Sequence, residues 1–374
     1  MKSVVIAGYV RSPFHFANKG GLARVRPDDV AAQVVKELVA RSKLDPALIE
    51  DLILGCAFPE GEQGLNLARL VVLLARLPQC VAGQTINRFC GSSMQAIHSA
   101  AGAIQLGAGE AFICAGVESM SRIPMSGFNP MPNPVLAEQL PGAYMSMGQT
   151  AENVAAQYKI SRKEQEAFAV VSHQRAAAAQ AAGKLKDEIV PIGDVVTDGC
   201  IRSETTTEKL AELKLAFDEK GTVTAGTASP LTDGSAATLV TSEDFAKQHN
   251  LAILARIKSI AVAGCDPAIM GIGPVVATQK ALQRAGLSAQ DIDIIELNEA
   301  FASQALACIS ALGFDPEKIN LDGGAIAIGH PLGATGARIT GKAAALLKRE
   351  GKRYALATQC IGGGQGIATI LESI

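Results

Sequence analysis

The chain reads as an α/β protein in which one order of elements occurs twice, with an inserted loop domain between the two halves. This reading rests on its apolar runs, its turn residues and an order of elements that occurs twice. Short apolar stretches such as Val4 to Ala7, Leu52 to Gly55, Ala111 to Gly116 and Ile292 to Leu297 alternate with helical stretches, the pattern of strands covered by helices on both faces. Met1 to Tyr9 reads as a first strand, because its Val-Val-Ile-Ala run soon meets Arg11 and Pro13 with no small-residue cleavage site behind it. Pro27, a favoured first helical residue, opens a helix that runs to a turn at Asp45-Pro46, and the strand Asp51 to Gly55 follows. Pro274 opens a matching helix that ends at Ala285-Gly286, after which Ser288-Ala289-Gln290 leads into the strand Asp293 to Leu297.

Each half then reaches a loop of small residues that opens a further helix. These loops are Cys90-Gly91-Ser92-Ser93-Met94 and Gly329-His330-Pro331-Leu332-Gly333. A strand follows each helix, Ala111 to Gly116 in the first half and Tyr354 to Gln359, running into Cys360, in the second. The repeated order suggests duplication, although residue identity between the copies is low. Ligands of α/β sheets sit beyond the carboxyl ends of strands, so two copies related by a pseudo-dyad are expected to face one cleft.

The expected division is residues 1–117 plus 230–248 for the first half, 118–229 for the loop domain and 249–374 for the second half. Five of the eight methionines and five prolines lie between Met120 and Met147. That cluster reads either as a mobile surface excursion or as an adaptable apolar surface for an acyl chain or a partner subunit. Further on, Ser161-x-x-Glu164 is a capping box before an Ala-rich helix that stops at Gly183.

Composition excludes several classes. A chain of 374 residues with 48% hydrophobic and 19% charged residues has enough core for two or three domains and too little charge for a disordered one. A net charge of −2 without a basic stripe speaks against nucleic-acid binding. Arg69 and Arg76 interrupt even the Leu65 to Leu77 stretch, so no membrane span is expected. The eight cysteines form no Cys-x-x-Cys pair, which points to a reducing, cytoplasmic setting. His15, His98, His173, His249 and His330 are too scattered to argue a metal site.

Four positions stand out as candidates for chemistry. Cys90 precedes a helical face marked by Met94, Ile97, Ala101 and Ile104, and at a helix N-terminus a thiol is expected to lose its proton more readily than usual. An inert buried thiol is the alternative. Cys360 is followed by Ile361 and Gly362-Gly363-Gly364, which is either an ordinary glycine turn or a nest of N–H groups for an oxyanion. His330 lies among glycines that imply close approach to the backbone, and is otherwise a structural histidine. Asn298 ends a strand, where it is either a helix cap or a group of the cleft.

Taken together these segments resemble the thiolase family along essentially the whole chain. The resemblance is carried by Asn-Arg-Phe-Cys90-Gly-Ser-Ser-Met-Gln, Gly-Val-Glu118-Ser-Met, Ala225-Gly226-Thr227-Ala228-Ser229, Met270-Gly-Ile-Gly-Pro274, Asn298-Glu-Ala-Phe301, Gly-His330-Pro331 and Cys360-Ile-Gly-Gly-Gly. It implies two similarly wound five-stranded halves related by a pseudo-dyad with a loop domain, and that Cys90 is the acyl-accepting nucleophile, His330 takes its proton, and Cys360 is the acid and base. His330 with a water held by Asn298 would stabilise an enolate, while the backbone N–H groups of Cys90 and Gly362 would serve a tetrahedral oxyanion. Arg202 and Ser229 align with residues that contact coenzyme A, and Met147, Met270 and Phe301 are assigned to the substrate pocket. Coenzyme A would be a substrate and not a bound cofactor, and no metal is implied.

The activity implied is cleavage of 3-ketoacyl-CoA to acetyl-CoA and a two-carbon-shortened acyl-CoA. The alternative is biosynthetic condensation to acetoacetyl-CoA. Ser93 stands where many members have Gly, Thr227 where many have Asn, and Lys209 where biosynthetic members have a small polar residue. Ser146-Met147-Gly148 also lacks a His before Met. These departures shift the expectation toward the chain-shortening type. A Cys-His hydrolase would have no use for Cys360 and its glycines, and a lipid carrier with only the fold would not need all four reactive positions. The family implies a homodimer or homotetramer and association with other fatty-acid oxidation enzymes.

Overall fold

A computed structural model describes residues 2–374; Met1, the start of the predicted first strand, lies outside the described residues. The strands are β1 (Val4–Arg11), β2 (His15–Phe16), β3 (Asp51–Gly55), β4 (Ala82–Ile86), β5 (Ala111–Ser119), β6 (Thr232–Ser242), β7 (Ala255–Gly264), β8 (Ile294–Leu297), β9 (Tyr354–Ile361) and β10 (Gln365–Glu372). They form one sheet in the order β4-β3-β5-β6-β1-β7-β10-β9-β8, with β2 on β6. Read outward from its middle, this order repeats itself. β3 runs parallel to β4 and β5, and β6 lies antiparallel between β5 and β1. In the second half β8 runs parallel to β9, and β10 lies antiparallel between β9 and β7. The fifth position of this half is held by a single parallel bridge, Ile295 to Ile319. The neighbouring sequence explains why: Asp315 caps a tight turn over Pro316–Lys318, and Gly323-Gly324 follows, so no strand extends there. Within the sheet, and among the described residues, the halves join where Val5 and Ile6 of β1 meet Arg256 and Ala255 of β7.

Helices cover this sheet in layers, and the alternation of each strand sorts its side chains between them. Leu52 and Leu54 of β3 pack outward on the helices Pro27–Ser42 and Leu67–Leu74, while Ile53 faces Ala96, Ile97 and Ala100 of the helix Ser92–Leu106. In the second half Leu356 faces the outer helices Gly273–Ala285 and Ala302–Leu312, whereas Ala355 and Ala357 meet Ile339 and Ala343 of the helix Leu332–Glu350. Ser92–Leu106 and Leu332–Glu350 pack on each other as a central layer, and the latter touches strands of both halves. Both expected helix starts hold: Pro27 is the first helical residue, and Pro274 lies in the first turn of its helix.

Close approach in the central layer depends on glycines. A methyl group at Gly333 would lie 2.5 Å from the Val117 carbonyl oxygen, and one at Gly336 would lie 2.3 Å from the Met94 nitrogen. Buried ion pairs reinforce the same helix. Lys342 reaches Glu188 at 2.9 Å and Asp322 at 2.6 Å, and Glu188 in turn accepts from Arg11 of β1 at 2.8 Å.

Between β5 and β6 the chain leaves the sheet. The capping box of Ser161 and Glu164 opens the helix Arg162–Ala181, as expected. This segment issues from the first half and docks on both: Val190 donates its N–H to the Arg11 carbonyl at 2.7 Å, and its helix Arg162–Ala181 lies on the second half. Ser172 donates to Glu299 at 2.6 Å, Arg175 to the Ile319 carbonyl at 2.5 Å, and Ser303 to the carbonyl of Ala151 at 3.1 Å. No helix of the described residues is long and apolar enough to cross a membrane.

Substitution at two helical glycines tests the packing argument. Gly336→Ala is expected to destabilise the protein by about 1–3 kcal/mol through overpacking. Gly102→Ala, in the exposed interior of Ser92–Leu106 with open space around it, is expected to stabilise by about 0.5–1 kcal/mol. Denaturant unfolding of both variants beside the wild type is the measurement, and a destabilised Gly102→Ala or an unaffected Gly336→Ala would contradict the packing described.

Candidate active site

Cys90 sits at the apex of a tight turn between β4 and the helix Ser92–Leu106. The Ser92 hydroxyl accepts from the Arg88 N–H at 2.9 Å and donates to the Phe89 carbonyl at 2.6 Å, and the Gly91 N–H closes on the Arg88 carbonyl at 2.9 Å. Phe89 is thereby forced to φ +42°, a left-handed conformation that a bulky side chain keeps only when its surroundings impose it. Gly91 is the N-cap and must lack a side chain, because a Cβ there would fall 2.5 Å from Ile361 Cδ1.

The sulfur of Cys90 is buried among Ala57, Phe58, Met120 and Leu332. The sequence leads one to expect an acidified thiol, and the structure corrects this. Burial pushes the Cys90 thiol up to about 11, although the backbone N–H groups of Gly362 and of Cys90 itself hydrogen-bond the sulfur and pull the other way. Desolvation of a thiolate outweighs two such donors.

Cys360 comes from the other half, one residue before the end of β9, and is fully buried beside Ala151, Val223, Ala228, Ala300 and three residues predicted for the pocket, Met147, Met270 and Phe301. Burial raises its thiol far above the usual value, and the charge of nearby Cys90 raises it further. After it, Gly363 and Gly364 have φ of +78° and +80°, which turns the chain sharply into β10.

His330 and Asn298 meet at this point, with Asn298 Nδ2 3.4 Å from His330 Nε2. Asn298 does not cap a helix. The following helix Ala302–Leu312 has Phe301 at its N-cap and no side-chain cap bond, and the side-chain amide oxygen Oδ1 of Asn298 is buried without a protein partner. The tautomer of His330 follows from Thr335. Its hydroxyl lies 2.6 Å from His330 Nδ1 and 3.0 Å from the Pro331 carbonyl oxygen. Its one proton goes to the carbonyl, so Nδ1–H donates to Thr335 and Nε2 carries the lone pair. Burial, and then the Arg338 charge, push His330 down to about 3, so the ring is neutral near pH 7.

A third group was visible in the sequence only as a strand end. Glu118, on β5 and fully buried, accepts from the N–H groups of Ala57 at 2.8 Å, Phe58 at 3.2 Å and Gly333 at 2.9 Å, and from Gln63 Nε2 at 2.8 Å. It thus ties the loop after β3 to the start of the helix that follows His330. Ser229, half-buried, bonds the Ala300 carbonyl through both its N–H, at 2.9 Å, and its hydroxyl, at 3.0 Å. Arg202 lies apart from the two sulfurs, exposed, with its guanidinium 5.1 Å from the centre of the Phe16 ring.

Two buried thiols from opposite halves, with a neutral imidazole held against a buried amide, are groups of the kind that serve acyl transfer. Residues 4–244 match the thiolase N-terminal domain and residues 251–373 the thiolase C-terminal domain. The chain belongs to the thiolase family. It is 49% identical over 389 residues to a 3-ketoacyl-CoA thiolase of Bacillus subtilis, and 49% over 388 residues to one of Shewanella denitrificans, with all of each chain covered. Among solved structures it is similar to human mitochondrial 3-ketoacyl-CoA thiolase in complex with CoA (TM-score 0.91, 40% identity, 100% of this chain and 98% of that one). It is also similar to the acetyl-CoA acetyltransferase of Bacillus anthracis (TM-score 0.91, 42% identity, 100% and 99%).

Two measurements check this geometry. Alkylation of Cys90 in the resting enzyme is expected to keep rising with pH past 9, because the thiolate is the reactive form and burial holds the thiol near 11; a plateau below pH 8 would show an acidified thiol instead. Thr335→Val, which frees Nδ1 and the choice of tautomer, is expected to lower kcat about 10- to 100-fold, with Thr335→Ser close to wild type.

Proposed function

We propose that this protein cleaves 3-ketoacyl-CoA with coenzyme A, releasing acetyl-CoA and an acyl-CoA two carbons shorter, by a ping-pong reaction through an acyl thioester on Cys90. The observation that carries this reading is the pairing of two buried thiols from opposite halves, with two backbone N–H groups directed at the sulfur of Cys90. The substrate follows from full-length relatives at 49% identity that bear the name 3-ketoacyl-CoA thiolase.

In the first half-reaction the Cys90 thiol gives its proton to His330 Nε2, and the sulfur attacks the 3-keto carbon. The N–H groups of Cys90 and Gly362 hold the tetrahedral oxyanion, each donor contributing about 3 kcal/mol. The bond between carbons 2 and 3 then breaks. The departing electron pair forms the enolate of acetyl-CoA, steadied by the protonated His330 and a water that we assign to the unpartnered oxygen of Asn298. Cys360 protonates carbon 2 and becomes a thiolate. In the second half-reaction the thiol of coenzyme A returns a proton to Cys360 and attacks the acyl thioester. Cys90 leaves and recovers its proton from His330, so both thiols and the imidazole end as they began.

Coenzyme A is a substrate on this reading. Arg202 is proposed to contact its phosphate or adenine, and Ser229, next to the Ala300–Phe301 segment, its pantetheine. Met147, Met270 and Phe301 wall the acyl and thiol end around Cys360. We also propose that residues 118–229 act as a loop domain between halves made of 1–117 plus 230–248 and of 249–374. The enzyme is proposed to be at least a homodimer, because β4 is an edge strand beside exposed Leu65, Leu73 and Leu74. Both reactive sulfurs work only as thiols, which suits the reducing cytoplasm.

Coenzyme A-dependent loss of 3-ketoacyl-CoA across a chain-length series tests the reading. Cleavage of medium and long chains by the wild type, lowered about 1000-fold or more in both Cys90→Ala and Cys360→Ala, is the expected result. Activity confined to acetoacetyl-CoA would overturn the chain-shortening assignment. Sedimentation at micromolar concentration is expected to show a dimer or larger, and a monomer would refute the proposed assembly.

A further inference from the structure

The loop that carries Cys90 and the turn that carries Cys360 and Gly362 belong to opposite halves, and no covalent bond fixes their separation. Two side-chain amides span the gap. Gln359, fully buried on β9 immediately before Cys360, donates from Nε2 to the backbone carbonyl of Cys90. Gln365, the first residue of β10, accepts at Oε1 from Arg88 Nη1 at 2.8 Å. These ties join residues 269 and 277 positions apart. One stands on each side of the turn Cys360–Gly364, and their partners stand on each side of the strained Phe89.

The placement of Gln359 follows from strand alternation. Ala357 and Ile361 face the central helices, and Gln359 shares that face with them, whereas Thr358 bonds Thr278 on the outer side and Cys360 points the same way. The Cys360 side chain packs in the cluster of Met147, Met270 and Phe301 while Cys90 packs in another, so the turn needs a separate registration against the nucleophile loop. Gln359 supplies it from the opposite face of the strand. Its own Oε1 is buried without a partner, an arrangement that detracts from net stability. That imbalance points to a role in geometry.

We propose that Gln359 and Gln365 are positioning residues that clamp the turn Cys360–Gly364 onto the Cys90 loop and thereby hold the Gly362 N–H against the Cys90 sulfur. The proposal rests on the reading of Cys90 as the nucleophile. Loss of either tie lets the turn drift, and an oxyanion donor displaced by about 1 Å loses much of its effect on rate. The same drift withdraws one of the two donors that favour the Cys90 thiolate.

The test compares wild type with Gln359→Leu, Gln365→Leu, the double variant and Gln365→Glu. The last keeps an acceptor for Arg88. Steady-state thiolysis, the pH profile of Cys90 alkylation by iodoacetamide and thermal unfolding are measured on each. Each Leu variant is expected to lose about tenfold or more in kcat with KM changed by about twofold at most. The alkylation profile moves to higher pH, Gln365→Glu stays at wild-type rate, and the double variant loses less than the product of the singles because both ties act on one turn. Unchanged kcat and profile, or a loss that only follows the folded fraction, would overturn the proposal. Should Gln359→Leu fail to fold, half-exposed Gln365 decides through its Leu and Glu variants. A wild type without thiolysis would defeat the functional reading, while the alkylation profiles would still judge the clamp.

Discussion

The depth of contact between the two central helices is the constraint from which the site follows. Ser92–Leu106 and Leu332–Glu350 begin at the loops that carry Cys90 and His330, so the distance between their first turns sets the distance between those loops. Gly336 lets one backbone rest on the other at Met94, and Gly333 lets the same helix seat against β5. A helix that gives up alanine for glycine loses about 1 kcal/mol of intrinsic propensity at each such position. The near-complete burial of its first thirteen residues offsets that loss. Glu118 completes the arrangement, since one carboxylate gathers N–H groups from the loop after β3 and from the start of the second central helix.

Burial then decides the electrostatics. At rest both thiols and the imidazole are neutral, because burial away from bulk water disfavours every isolated charge. The same burial works in favour of the reaction once charge develops, since fixed dipoles in a low-dielectric interior act with little screening. Two of the five clustered methionines line this interior, Met120 beside Cys90 and Met147 beside Cys360, whereas Met125 and Met131 are exposed. The insert thus supplies cavity wall as well as surface.

Much of this was legible in the linear order of residues. Pro27, Pro274 and the capping box at Ser161 announced helices, and the paired order of helix, strand and small-residue loop announced the duplication. Local signals suffice where the cause is local. The basicity of the Cys90 thiol is not legible in the sequence, because helix position is visible there while desolvation by Ala57, Met120 and Leu332 is not. Thr335, Glu118 and Gln359 give no sequence signal as site-building groups for a related reason. Thr335 matters only through the direction of one ring nitrogen, and the other two act on partners that are far away in the chain.

Strand order also bears on the birth of the molecule. β10 follows β9 in the chain yet lies between β7 and β9, and the second-half groups on which the helix Arg162–Ala181 docks are made after that helix. A nascent chain can fold its first half early, as domains made from the N-terminus do. The helix Arg162–Ala181 nevertheless waits for Glu299 and Ile319 of the second half, although Glu188 and Asp198 can already meet Arg11 of the first. Cys90 is made long before Cys360, so the two sulfurs can be brought together only after β9 of the second half has been made.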